Sequence, residues 1–201
     1  PMLLKSSGYR IGFVGKYGVG NKELPEKEYD YWKGWAGQGK YELKDEDGNY
    51  IHMTQVMSRD ARDFLRGCSK DKPFCLSVSF KAPHVQDRDP RQFIYDRALA
   101  DLYKDITIPA PKTGDDKYWN EFPEFFKKDN EGRRRWKRRF STPKMYQEMV
   151  KGYYRLVTGV DVGIGQKRRH KNQLISQVPN IVKAAGVVEV SGPAQAAKKP
   201  D

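Results

Sequence analysis

Arg10-Ile11-Gly12-Phe13-Val14-Gly15-Lys16 is the stretch on which the fold turns. Its short apolar run, bounded by charge at both ends, has the length and character of a buried parallel strand. Working outward, Pro1-Met2-Leu3-Leu4-Lys5-Ser6-Ser7 reads as the last turns of an amphipathic helix, and Gly8 suits its C-terminal stop. Helix, glycine, strand is the second half of a right-handed crossover unit. The expectation is therefore an α/β fold: a mostly parallel sheet flanked by helices, with long irregular loops, and a further strand ahead of position 1.

A second helix–strand pair supports this. Thr54 is expected to cap a helix reaching about Leu65, with Val56, Met57, Ala61, Phe64 and Leu65 on one stripe. Gly67 ends it, and Phe74-Cys75-Leu76-Ser77-Val78-Ser79-Phe80 reads as a buried strand that holds Cys75 as a small hydrophobe. Residues 17–50 hold no long periodic segment and are expected to be irregular, apart from a small hairpin joining Lys40–Leu43 to Tyr50–His52 through Asp47-Gly48-Asn49. Residues 85–143 are charged and dotted with proline, more insertion than core. A helix is expected over 142–165, with Thr142 at the cap, Pro143 at the first position, and Gly163 and Gly165 closing it. The chain thus divides into a domain at 1–165 and a basic, low-order tail at 166–201.

Composition sets the outer limits. The 201 residues carry a formal charge of +12, with 37% hydrophobic and 32% charged residues. The 25 aromatic residues argue against plain disorder, and no apolar run has the ~18 residues a spanning helix needs. Basic residues cluster at Arg133-Arg134-Arg135-Trp136-Lys137-Arg138-Arg139 and in the tail. Such runs suit nucleic acid, yet no nucleic-acid fold signature accompanies them, so nucleic acid is not the expected partner. The two cysteines, Cys68 and Cys75, form neither a disulfide framework nor a metal site by count.

Two residues stand out for their place. Ligands of open α/β sheets bind beyond the carboxyl ends of the strands. Lys16 follows the first strand, among Gly15, Gly18 and Gly20, and His84 follows the second on the Lys81-Ala82-Pro83-His84 turn. A point cation and a titratable imidazole at one sheet edge suit a tetrahedral anion, with His84 as donor or acid.

The strings around these residues resemble those of type I sulfatases. Leu4 to Gly20 is similar to the family stretch ending Gly-Lys-Trp-His-Leu-Gly. Lys72 to His84 is similar to the strand that ends in Pro-His, and Gly152 to Gly163 to the helix written Tyr-x-x-x-Val/Ile-x-x-x-Asp-x-x-Val/Ile-Gly. The Gly37-Gln38-Gly39-Lys40-Tyr41 patch belongs to the same resemblance, which covers roughly residues 1–165. It implies a partial alkaline-phosphatase-like fold and the hydrolysis of sulfuric esters, with Lys16 and His84 binding the sulfate and His84 also assisting catalysis. The substrate implied is a sulfated small molecule or glycan, and the compartment periplasmic, secreted or lysosomal.

Departures from the family pattern matter as much. Gly18 stands where the family usually has histidine. The formylglycine motif Cys/Ser-x-Pro-x-Arg is missing from the chain. Ca²⁺ is the cofactor implied for the intact enzyme, but its carboxylate ligands are not readable here. Asp115-Asp116 lies in a loop, and Asp129-Asn130 in a charged stretch. No metal-ligating residue is therefore expected in this chain. An internal fragment without turnover of its own is expected, and the change of character at Gln166 is what a reading-frame shift would leave. A phosphoester or phosphonate hydrolase of the same superfamily and a basic nucleic-acid-binding protein are the rival readings.

Overall fold

The computed structural model describes residues 1–19, 23–174, 181–184 and 187–191. After helix α1 (Met2–Ser6), strand β1 (Arg10–Lys16) runs through the protein, with Ile11 and Val14 buried. Strand β2 (Tyr31–Trp35) pairs parallel with β1. Strands β3 (Glu42–Lys44) and β4 (Tyr50–His52) form the small antiparallel hairpin. Helix α2 (Met53–Arg66) then leads to strand β5 (Phe74–Ser79), parallel to β1 on its other side. Helices α3 (Asp116–Asn120), α4 (Glu124–Lys127), α5 (Glu131–Phe140) and α6 (Pro143–Leu174) follow. Backbone at β6 (Ile181–Ala184) and β7 (Val187–Ser191) completes a five-stranded sheet of order β2-β1-β5-β7-β6, with β7 antiparallel to β5.

The core lies between this sheet and α2. Met57, Ala61, Phe64 and Leu65 fall on one helical face and are buried against Val14, Leu76 and Val78. Phe64 is the hinge of this packing. It meets Phe74 edge-on at 5.9 Å and Tyr31 at 5.7 Å, and the Arg10 guanidinium lies 4.9 Å from its ring centroid. A Cβ on Gly12 would stand 2.6 Å from that ring, so the strand must be bare there. On the opposite face, by strand alternation, Phe13 stacks on Trp32 at 4.9 Å and meets Tyr17 and Tyr29 edge-on. Helix α6 backs α2, with Leu156 buried and Gly163 so close that a Cβ there would sit 2.3 Å from the Ser58 hydroxyl oxygen.

Several expectations need correction. The 17–50 region is not wholly irregular: Tyr31-Trp32-Lys33-Gly34-Trp35 forms the edge strand β2, held by its aromatic contacts rather than by an apolar run. The cap of α2 is His52, whose Nδ1 accepts the Thr54 amide at 3.3 Å, so Thr54 lies inside the helix. Residues 85–143 contain three helices, and α5 is started by Asn130, whose side chain accepts the Arg133 amide at 2.8 Å. Cys75 is half-buried, because its side of β5 is the less enclosed one. The glycines at 163 and 165 do not close α6, which continues to Leu174, since glycine inside a helix costs only about 1 kcal/mol. The cap and first turn of α6 are as expected, with the Met145 amide donating to the Thr142 hydroxyl. The low order expected of 166–201 falls largely outside the described residues.

His52 is 1% exposed and is satisfied only as a neutral ring. Its Nε2 bonds the Ile94 carbonyl at 3.0 Å while Nδ1 accepts from Thr54. Nε2 therefore carries the proton, and a second proton on Nδ1 would oppose the Thr54 amide. Burial pushes its pKa below the ordinary imidazole value.

Two outcomes follow from this packing. Phe64→Ala should cost about 4 kcal/mol, the usual price of emptying a buried phenyl site, measured as a fall in the urea unfolding midpoint. Because the folded protein holds His52 neutral while the unfolded chain protonates it near pH ~6.5, stability should fall as pH drops below that value, levelling off under the folded pKa. A His52 ring resonance that titrates at or above the free-imidazole value would contradict this.

Candidate functional site

Lys16 is the last residue of β1, and His84 follows β5 after a four-residue turn closed by the His84 amide donating to the Lys81 carbonyl at 2.9 Å. The two strands are parallel neighbours with Gly15 opposite Ser79, so their carboxyl ends finish level at one rim. Gly15 makes the close approach possible. Its φ is +114°, a region side chains avoid, and a Cβ there would be 2.1 Å from the Ser79 carbonyl oxygen.

One loop bridges both ends. Gln38 accepts a hydrogen bond from the Lys16 Nζ at 3.1 Å. Three residues on, the Tyr41 hydroxyl donates to the His84 carbonyl at 2.6 Å, and the Tyr41 amide donates to the Gln86 side-chain oxygen at 3.0 Å. The Gly37-to-Tyr41 patch thus ties the lysine and histidine segments together. Lys16 is half-buried and His84 exposed. The His84 Nδ1 lies 2.6 Å from the Val85 carbonyl oxygen, an acceptor, so Nδ1 carries a proton and Nε2 is the ring nitrogen this bond leaves unused. Beyond Lys16, a Cβ on Gly18 would meet none of the described residues within 4 Å.

In the sequence Lys81 stands out only as part of the strand-end motif, yet it packs at the centre of this rim. It is 2% exposed, with its ammonium 4.6 Å from the centroid of the fully buried Tyr41 ring. Burial foremost, then the charge of Lys16, lowers its pKa, and Asp87 opposes that shift. Its position directly before Ala-Pro-His, two residues beyond the end of a mostly apolar strand, was the available signal.

The other polar groups singled out from sequence are employed elsewhere. Asp115 caps α3 through the Lys117 amide, and Asp116 pairs with Arg133. Asn130 caps α5. Arg134 and Arg135 share Glu131, and Arg139 reaches Asp87 at 2.7 Å and Gln92 at 2.8 Å, so much of the basic run is neutralised within the protein. The Cys68 thiol donates to the Phe64 carbonyl at 3.3 Å, and burial raises its pKa, which suits an inert thiol. Among the described residues, no three His, Cys, Asp or Glu side chains converge to hold a metal ion, so the residues present do not fit a calcium cage. A cavity of about 680 Å³ lined by Glu42, Arg91, Phe93, Tyr95, Arg97 and Arg155 includes neither Lys16 nor His84. Charge and strand topology, rather than volume, mark the rim.

Comparison with known proteins agrees with this architecture. A family model described as Sulfatase matches residues 1–167. An N-acetylglucosamine-6-O-sulfatase of Bacteroides thetaiotaomicron is 34% identical over 94 residues, which is 42% of this chain and 16% of that protein. An arylsulfatase of Clostridium perfringens is 38% identical over 65 residues, 32% of this chain and 12% of that protein. A solved structure, of a protein in complex with its substrate D-glucosamine-2-N,6-O-disulfate, matches with a TM-score of 0.57 at 18% identity. That match covers 87% of this chain and 46% of the other, and it speaks to the fold. The matches thus take in less than half of the length of each relative. With a family model spanning most of the chain and a sheet whose strand ends carry the expected lysine and histidine, this chain belongs to the sulfatase family.

Proposed function

We propose that this chain supplies the lysine–histidine wall of the sulfate subsite of a sulfuric ester hydrolase. The observation that supports the reading is the level ending of β1 and β5, together with a loop whose Gln38 accepts from Lys16 and whose Tyr41 donates to the His84 carbonyl. Lys16 offers a compact charge and the two donors not spent on Gln38 to the sulfate oxygens. The His84 imidazole stands beside it as acid. In the overall reaction the S–O bond of the ester breaks, oxygen from water ends on sulfur, and the departing alcohol oxygen gains a proton. As an imidazolium, protonated on Nε2 as well as on the Nδ1 that bonds the Val85 carbonyl, His84 would give that proton or steady a sulfate oxygen until it is given.

Family resemblance assigns the attack on sulfur to a formylglycine, and this chain has no Cys/Ser-x-Pro-x-Arg motif to form one. Calcium, the ion the family implies, would neutralise charge on the sulfate oxygens, but the described residues give it no cage and no step here depends on it. The substrate class that fits is a sulfated small molecule or glycan, in keeping with the relatives named above. Internal pairing of Arg133, Arg134, Arg135 and Arg139 leaves nothing that favours nucleic acid as the partner.

Isothermal titration of the full chain with sodium sulfate tests the reading. Sulfate should bind, and Lys16→Met and His84→Gln should each weaken it about tenfold, as loss of a charge-assisted hydrogen bond implies. Affinity unchanged by both substitutions would remove the proposal. With an aryl sulfate and added calcium, the chain alone should show no turnover, whereas calcium-dependent hydrolysis would mean that nucleophile and metal site lie within it.

A further inference from the structure

Buried ammonium groups are nearly always hydrogen-bonded, because leaving one without a partner costs several kcal/mol. Lys81 departs from this pattern. It is 2% exposed, and its Nζ has no hydrogen-bond partner among the described residues. What the ammonium does have is the face of Tyr41, 4.6 Å from the ring centroid, where the negative π-face partly offsets its lost hydration. A methionine or leucine would fill that space at lower cost, so the charge needs a reason.

Tyr41 supplies it. The ring is fully buried and stacked on the His52 imidazole at 5.2 Å and 11°. Its hydroxyl holds the His84 carbonyl at 2.6 Å, and its amide is held by Gln86 at 3.0 Å. Burial pushes the phenol pKa well up, so the hydroxyl stays a donor. The turn from Lys81 to His84 closes on the Lys81 carbonyl itself. Lys81 and His84 are therefore joined twice, once through the backbone of the turn and once through the Tyr41 ring.

We infer that Lys81 is a positioning residue for His84: by seating its ammonium on Tyr41 it fixes the phenol that holds the His84 carbonyl, and so the backbone from which the imidazole projects. This inference rests on the reading of Lys16 and His84 as an anion site. It assigns Lys81 no contact with the anion, in keeping with an Nζ that solvent does not reach.

Nitrogen NMR of the three histidine rings in the full chain, with and without sodium sulfate, provides the test, with His84→Gln to assign the signal. Lys81→Met keeps the volume and removes the charge, Tyr41→Phe keeps the ring and removes the hydroxyl, and Lys81→Arg keeps a cation over the ring. In sulfate-free solution, Lys81→Met and Tyr41→Phe should both move the His84 Nδ1 signal, as its bond to the Val85 carbonyl loosens. Both should weaken the sulfate response of His84 about fivefold, on the order of one net hydrogen bond or one weak cation–π contact, and Lys81→Arg should restore it. The His52 signals should hold still and report an intact core. A folded Lys81→Met chain with the His84 signal and sulfate response of the parent overturns the inference. If Lys81→Met does not fold, an unchanged His84 signal in Tyr41→Phe overturns it equally. A parent chain whose His84 ignores sulfate defeats the anion-site reading instead, and the sulfate-free Nδ1 position still decides the role of Lys81.

Discussion

Strand ends can serve one ligand only if they stop at the same height, and here that height is set by the pairing of Gly15 with Ser79 between β1 and β5. A slip of one residue would turn every side chain of one strand to the wrong face. Phe64 guards against it, because only the bare backbone at Gly12 admits its ring, and Leu76 lies opposite Gly12 on the neighbouring strand. The hydrophobic packing of α2 and the placement of Lys16 and His84 are thus one constraint seen at two ends of the sheet. Packing fixes register, register fixes the level of the rim, and the rim gathers the polar groups.

The rim is electrostatically one-sided. Lys16 lies close enough to Lys81 to lower its pKa, and the acid that opposes this, Asp87, is itself engaged by Arg139. Like charges held near one another in a partly dry place favour the arrival of an anion. The family assignment and the local field agree, although they come from different observations.

Much of this was readable from the residues, for particular reasons. β1 is a short run buried on both faces and β5 a mostly apolar one buried on one face, and such strands announce themselves by composition. The residues after them were legible because ligand sites of open sheets gather at that end. β2 was hidden because aromatic side chains flank a glycine and a lysine, so its stability comes from Phe13 and its neighbours across the sheet. α5 was hidden because it has almost no apolar stripe and rests on Glu131, Asn130 and Arg139 instead. The length of α6 was hidden because Gly163 looks like a stop in sequence, while in space it is the gap into which Ser58 fits. Lys81 was hidden because its role depends on Tyr41, forty residues away along the chain.

Arg139 carries a consequence of its own. Buried at the last turn of α5, it grips Asp87 and Gln92, just beyond the histidine turn. The segment bearing His84 is thus clamped by the sheet on one side and by a helix end on the other. Its backbone disorder has been surrendered during folding rather than at each encounter with a ligand, so the imidazole has little left to order but its own two torsions.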